Sequence, residues 1–362
     1  MPKSKSSRPL RAATLADVGR MAGVSAMAAS AVLNGARTSS RISDETRRRI
    51  LKAAAQLDYR PNAAARALAN RRMQTIGVAA VFSGGEINHY FLELFNGIMA
   101  AAAARDQNTT VFSLHNWGPD ASRLRTMCDG RIDGLILVAP TFSPKENVLP
   151  THTPFVSIHA NSQLEDVINI ESDEERGAYE MVRMLVSQGH QRIMHVVGPE
   201  GMTGAQRRVR GYRRALATEH IPVRADLLIS AGSYSVEGGR DALRQWLRQH
   251  PGARLPQAIF GASDSIAVGV MEALAEAGLR VPDDVSVAGF DDTLAARISV
   301  PQLTSVHQPL RTMGARAVEL LLGRIERQVA ADAPPIVFPV EVVVRASARP
   351  PGTTDRIVPA VA

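Results

Sequence analysis

The chain has 362 residues, more than one average domain, with 45% hydrophobic but only 4% aromatic residues, so its cores must rest mainly on Ala, Val, Leu and Ile. Its formal charge of +7 is unevenly placed: residues 1–72 hold 15 Lys/Arg and 4 Asp/Glu, the remainder 27 and 31. The single cysteine, Cys128, excludes an internal disulfide and points to a reducing, cytoplasmic setting, and no apolar run approaches the roughly 20 residues of a membrane span.

A cationic module on a mildly acidic body suits a polyanionic partner, because each neutralised phosphate releases a condensed counterion. The start, Met1 to Leu10, is basic with no apolar run behind it; it reads as a disordered arm (residues 1–12), not a secretory signal. Thr14 is an expected helix N-cap, with Asp17 completing an acidic capping box. Leu15, Val18 and Ala22 share the face of that first helix, and Gly23 ends it. Val24 plugs the turn and Ser25 caps a second helix, Ala26 to Leu33. There Ala29, Val32 and Leu33 point inward, while Ala26, Met27, Ser30 and Ala31 point out. Asn34-Gly35 stops it. A third helix after Ser43 starts with Asp44 and Glu45, turns Ile50, Leu51 and Ala54 inward and Arg47, Arg48, Arg49 and Lys52 outward, and ends before Pro61. Three short helices with a tight turn form a helix-turn-helix, its second helix suited to a major groove. The plainer reading is a three-helix bundle with a solvated basic face.

Residues 62–70 are nearly all Ala, with Arg66 and Leu68; so short a helix is marginal alone in water. From Gln74 onward apolar strand-like runs (Thr75–Phe82, Thr109–Leu114, Gly134–Ala139, Phe155–His159, Arg192–Val197, Ala258–Gly261, Val285–Phe290) alternate with amphipathic stretches (Phe91–Arg105, Glu175–Gln188, Gln206–Glu219, Ser263–Ala277). This is the pattern of doubly wound parallel sheets, and its repetition predicts two α/β lobes. Ligands of such sheets bind outside the carboxyl ends of the strands, here between the lobes. The last stretch, 347–362, reads as a flexible tail without heptads.

Other motifs carry no chemistry. Gly198 to Gly204 lacks the Gly-Lys-Ser/Thr ending of a phosphate loop. Asp291 and Asp292 are adjacent and should point apart; His190 and His195 lack zinc spacing. Cys128 reads as a buried small hydrophobe. The Arg207–Arg214 stretch spreads around a helix, with Arg208 turned into the cleft. No nucleophile elbow is present, and no catalytic residue, cofactor or metal site is expected.

The runs Thr14-Leu-Ala-Asp-Val18, Ala22-Gly-Val-Ser25, Ser30-Ala-Val-Leu-Asn34 and Tyr59-Arg-Pro-Asn62, followed by Ala65-Arg-Ala-Leu68 and Thr75-Ile-Gly-Val78, resemble the lactose/galactose repressor (LacI/GalR) family of transcriptional regulators in order and nearly in spacing, to about Ser347. The segment from Asn34 to Ile42 is a few residues longer than the commonest form. The resemblance implies an all-α head on a two-lobed, periplasmic-binding-protein-like α/β domain: head 13–60, hinge helix 61–72, and an effector-binding and dimerisation domain 73–346. Its N-lobe would span about 73–172 plus 303–335, its C-lobe about 173–302 plus 336–346.

The same resemblance implies DNA contacts from Thr14, Ser25, Ala26, Met27, Ala28, Ser30, Ala31, Asn34, Arg37, Tyr59, Asn62 and Arg66, with Leu68 wedged into the minor groove. It departs at Ala28 and Ala31, where relatives often carry Thr and Arg. Ala31 offers no donor to a guanine edge, so readout must lean on apolar contacts to thymine methyls, on Ser30 and on DNA shape. For the effector it implies Phe91, His159, Arg208, Tyr234, Ser263, Asp291 and Gln308, with His159 where many members have Asp and Ser263 where many have Asn. The implied protein is a homodimeric repressor on a palindromic operator, controlled allosterically by a small metabolite, most often a carbohydrate. A solute-binding protein for sugar uptake and an α/β sugar-acting enzyme are the alternatives.

Overall fold

The computed structural model describes residues 12–34, 42–60, 72–82, 88–141, 149–161, 164–330, 333–352 and 357–359. The expected basic arm (to residue 11), Arg37, and the hinge residues Asn62, Arg66 and Leu68 lie outside them. The chain divides into two units, residues 1–74 and 75–362.

The first unit is built from α1 (Leu15–Ala22), α2 (Ala26–Asn34) and α3 (Asp44–Gln56). Thr14 and Asp17 close a reciprocal capping box: Thr14 N donates to Asp17 Oδ2 at 3.0 Å and Asp17 N to Thr14 Oγ1 at 3.3 Å. Gly23 sits at φ 66°, in the left-handed region. Gly19 is held bare by the same turn, since a Cβ there would stand 2.8 Å from Val24 O. Ser25 Oγ accepts from Ala28 N, and Ser43 caps α3 through Thr46 N. Val18, Ala22, Ala29, Ile50, Ala53 and Ala54 form the core, with Leu15, Val24, Val32, Leu33, Leu57 and Tyr59 around it. One expectation fails: Leu51 is 49% exposed. The buried stripe of α3 follows Ile50, Ala53, Ala54 and Leu57, the i, i+3, i+4, i+7 spacing of one helix face, and Leu51 lies off it. Arg47, Arg48, Arg49 and Lys52 are exposed.

The second unit contains two six-stranded sheets. The first takes β1 (Thr75–Val81), β2 (Asn108–Leu114), β3 (Gly134–Val138), β4 (Phe155–Ile158), β5 (Ile168–Ser172) and β11 (Ile336–Phe338), ordered β2-β1-β3-β4-β5-β11 and wholly parallel. The second takes β6 (Ile193–Val197), β7 (Leu228–Ser230), β8 (Ala258–Gly261), β9 (Ser286–Asp291), β10 (Thr304–His307) and β12 (Glu341–Val343), ordered β7-β6-β8-β9-β10-β12 with only β12 antiparallel.

Helices cover both faces of each sheet, which is why the central strands are apolar throughout rather than alternating. On the first sheet, α4 (His89–Ala103) and α12 (Leu310–Ile325) pack against Ile76, Val78 and Ile136, while α5 (Trp117–Asp120) and α6 (Arg123–Met127) cover Ala79 and Leu137. On the second, α7 (Glu174–Ser187) and α8 (Thr203–Thr218) cover one face, and α9 (Val236–Gln249) and α10 (Asp264–Glu276) the other. A short α11 (Leu294–Ile298) follows β9.

The lobe boundaries differ from those expected at two of three crossings. The first falls between Ser172 and Glu174, as β5 belongs to the first sheet and α7 to the second lobe. The second falls at Gln308–Pro309, not near Leu303, because β10 pairs with β9 along Thr304–His307. The return falls between Phe338 and Glu341, not near Ile336, because β11 pairs with β5. The end of the chain also departs from the flexible tail expected for 347–362. Ser347 and Ala348 are buried, Ser347 Oγ donates to Val287 O, and Val358 is 1% exposed within the second lobe's core. A three-residue apolar contact has no periodicity to announce it; the groove that receives it exists only in the folded lobe.

Candidate functional site

β5 and β10 end at two of the crossings, and polar side chains at or just after the ends of β4, β5, β9 and β10 are hydrogen-bonded to one another where the two lobes meet. Topology thereby collects groups distant in sequence: Tyr90 and Phe91 at the start of α4, His159 after β4, Ser172 ending β5, Glu174 opening α7, Arg208 on α8, Tyr234 before α9, Asp291 ending β9 and Gln308 after β10.

A hydrogen-bonded chain runs through them. Tyr90 Oη lies 2.6 Å from His159 Nδ1, and His159 Nε2 lies 3.1 Å from Ser172 Oγ. Ser172 Oγ donates to Gln308 Oε1, and Gln308 Nε2 donates to Asp291 Oδ1 at 2.6 Å. Ser172 N also donates to His159 Nε2 at 3.3 Å, so that nitrogen meets both the main chain and the side chain of Ser172. Burial lowers the pKa of His159 and so favours the neutral ring. Burial, and then the fields of Asp291 and Glu174, raise the pKa of Tyr90, so its hydroxyl keeps its proton.

Arg208 anchors the far end. It is 5% exposed, and its Nη2 donates to Glu174 Oε1 at 2.9 Å and lies 3.9 Å from Asp291 Oδ1. Its Nη1 donates to Ala262 O, and its guanidinium stacks 4.0 Å above the Phe290 ring and 5.8 Å from that of Tyr234. Burial opposes its charge, but Glu174, Tyr234 and Asp291 outweigh that and hold its pKa above the usual guanidinium value. Burial likewise pushes the Asp291 carboxyl well above the ordinary range, against the pull of Arg208. Tyr234 is pushed up to about 12, mainly by burial. Arg208 Nε is buried with no hydrogen-bond partner among the described residues. Further links close the cleft edge: Arg207 Nη1 to Glu171 at 2.8 Å, Thr203 N to Asn161 Oδ1 at 2.8 Å, and Arg297 to Glu93 at 3.3 Å.

Of the seven effector residues expected, His159, Arg208, Asp291 and Gln308 therefore belong to one network, with Tyr234 beside Arg208. Phe91 packs edge-on to Tyr90 and Phe82, forming the apolar side of the first lobe's wall. Ser263 is buried, and its hydroxyl oxygen caps α10 by accepting from Ile266 N at 3.2 Å. Tyr90, Ser172 and Glu174 were not singled out from sequence. Their one signal was position: each is polar and lies where a strand ends or a helix begins at the cleft. The adjacent acids do diverge, as Asp292 turns away from the cleft to His307 and Arg345. Among the described residues no group of three or more His, Cys, Asp or Glu could hold a metal ion.

On the first unit, Met27 is 78% exposed, Ser25 and Ala26 are also exposed, and Ala28, Ser30 and Ala31 are half-buried. α2 thus presents a small, nearly uncharged face. Thr14 is engaged in its capping box and Tyr59 against the head core.

A helix-turn-helix unit joined in one chain to a two-lobed body with a polar cleft defines a ligand-responsive DNA-binding regulator. Residues 14–62 match the model of bacterial regulatory proteins of the lacI family, and residues 182–348 that of a periplasmic binding protein-like domain. Catabolite control protein A of Priestia megaterium is 32% identical over 319 residues, covering 87% of this chain and 93% of that protein. The ribose operon repressor of Escherichia coli (strain K12) is 32% identical over 317 residues, covering 86% and 93%. The lac repressor dimer bound to operator and the anti-inducer ONPF superposes with a TM-score of 0.80 at 28% identity, over 94% of this chain and all of that one. The chain belongs to the lacI family of bacterial transcriptional regulators. These relatives are regulators rather than enzymes, and among the described residues no helix is long and apolar enough to cross a membrane.

Proposed function

We propose that this chain is a cytoplasmic, homodimeric repressor without enzymatic activity that binds a roughly palindromic operator through α2 and is controlled by a small polyhydroxylated metabolite, a sugar or sugar derivative, held between its lobes. The observation that carries the reading is the chain of donors and acceptors from Tyr90 to Glu174, passing through Ser172 and Gln308 at two of the lobe crossings. Polyols need paired donors and acceptors plus an apolar platform for their C–H faces, and Arg208, Asp291 and Gln308 beside Tyr234 and Phe91 offer that combination. The ribose operon repressor, among the relatives, is named for a sugar operon.

A ligand hydroxyl competing for Gln308 or Asp291 replaces a protein–protein link between lobes with a protein–ligand one. The lobe angle then changes with occupancy, and the change reaches the DNA-binding unit through residues 61–72. Couplings of this kind are typically about 1–3 kcal/mol. The test selects bound fragments from a genomic library, then titrates sugars against the selected duplex. Arg208→Ala is expected to abolish the sugar response and keep DNA binding. Asp291→Asn, nearly isosteric, is expected to weaken the response without unfolding the protein. A wild-type response in both variants would remove the cleft from the mechanism.

A further inference from the structure

A second concave site lies at the opposite end of the first lobe. A cavity of about 460 Å³ opens between the segment leading into β4 and the end of α12, lined by Thr151, His152, Thr153, Arg324, Arg327 and Gln328 among others. A neighbouring cavity of about 380 Å³ shares Thr151 and His152 and adds Arg125. From Thr153 to His159 the chain runs six residues along β4, so the site stands about 20 Å from the effector cleft.

Arg207, Arg208, Arg210, Arg214, Arg240 and Arg244 are each paired with a carboxylate. Among the described residues no carboxylate lines either cavity, and Arg125, Arg324 and Arg327 make no ion pair. Arg324 is half-buried, and its Nη1 is held by the carbonyls of Phe155 and Asp166 rather than by an acid. Burial, only partly countered by Asp166, lowers its pKa, the mark of a cation short of counter-charge. The nearby end of α12 would repel an anion through its free carbonyls. Several are already taken: Leu322 O, Gly323 O and Arg324 O accept from Glu326 N, Gln328 N and Arg327 N. His152 Nε2 is bound to Cys128 O at 3.0 Å, which fixes the ring at the rim.

We propose that this cavity binds a phosphate group, as inorganic phosphate or on a small phosphorylated metabolite, as a second ligand site distinct from the effector cleft. Guanidinium groups with hydroxyl donors beside them match the geometry of phosphate oxygens, and Arg324 and Arg327 in this cavity, with Arg125 in the one beside it and no acid lining either among the described residues, select against neutral ligands. The site sits where the chain enters the body: Thr75 O accepts from Asp133 N, and the starts of β1, β3 and β4 stand side by side. Occupancy would therefore alter the charge at the end of the lobe where the chain enters it.

The test is calorimetric titration of the full chain with inorganic phosphate at constant ionic strength. Direct heat is the proper readout, since phosphate raises thermal midpoints merely by exclusion from protein surfaces. One saturable site per chain is expected. Arg327 is exposed and its side chain has no hydrogen bond or ion pair to lose among the described residues, so Arg327→Gln should fold normally and weaken phosphate binding by about tenfold. No saturable heat, or wild-type affinity in Arg327→Gln, overturns the proposal. Parallel titration with ribose 5-phosphate separates the sources: tighter binding than inorganic phosphate assigns a sugar phosphate, equal or weaker binding the free ion. Asp291→Asn, nearly isosteric, should leave the phosphate titration unchanged; if it shifts it, the phosphate lies in the cleft and the proposal falls while the effector reading stands. If Arg327→Gln instead lowers only the salt dependence of binding to random duplex, with phosphate affinity intact, the arginine serves the DNA backbone and the proposal also fails.

Discussion

Arg208, Glu174 and Asp291 are three ionisable groups withdrawn from water at one spot, and their fates differ. Arg208 keeps its charge because Glu174 lies within hydrogen-bond distance. Asp291, farther from the guanidinium and engaged by Gln308, has burial as its largest influence and holds its proton more tightly than usual. Removing the partner of a buried charge commonly costs about 3–5 kcal/mol, so loss of ligand response in Arg208→Ala has to be read beside Asp291→Asn. His195 shows the same physics without function. It is buried, stacked on Phe260 at 4.7 Å and bonded to Phe260 O, with a pKa lowered to about 4 by burial. The folded state keeps this ring neutral, so its contribution to stability is complete above pH 6.5 and is lost as pH falls towards about 4. His195→Phe is expected to flatten the stability–pH curve in that window. Urea midpoints from pH 4 to 7 check this, and a slope unchanged by the substitution would show that His195 does not set it.

Helix pairs in the body approach until backbones touch. Gly269 on α10 faces Val236 O on α9 so closely that a Cβ would stand 1.9 Å away, and Gly97 on α4 meets Arg311 O of α12 in the same manner. Those contacts set the height of each helix above its sheet, and hence where the strand-end side chains stand in the cleft. Gly269→Ala must drive α9 and α10 apart and is expected to cost about 1–3 kcal/mol or more by overpacking. Gly118, where an added Cβ meets only Asn116 Oδ1 at 3.8 Å, serves as control, and Gly118→Ala should be nearly neutral. Equal urea midpoints for the two variants would contradict the account.

Across the whole molecule the last described residues tie the second lobe together. His190 Nε2 is bound to Arg349 O, Val287 N to Ser347 O, and Val358 N to Ala253 O. Val358 fills a place in the core beside Leu255 and Trp246. Truncation after Gly352 removes that side chain and is expected to cost about 1.5–3 kcal/mol, the burial of one valine. A truncated protein with the full-length thermal midpoint would restore the view of residues 353–362 as a tail without contacts.

Local and periodic features were legible in the sequence. The capping residues Thr14 and Ser43, the turn at Gly23, the helix faces of the first unit and the alternation of apolar runs with amphipathic stretches each depend on neighbours within a turn or a strand. Even there Leu51 was misread, because inward and outward positions on a helix differ by one residue. The strands β10, β11 and β12 have four, three and three residues, too few to carry a period, and so two of the lobe crossings were displaced. Resemblance marked Arg208, Asp291 and Gln308, but nothing in their spacing revealed that Ser172 and Tyr90 complete the chain between them. That depended on parallel strands from two sheets ending at the same cleft, and on burial that decides which groups stay charged. Chemistry spread over the positions 90, 159, 172, 174, 208, 291 and 308 has no expression along the chain. It exists only once packing brings the strand ends together and excludes the water that would otherwise satisfy each group alone.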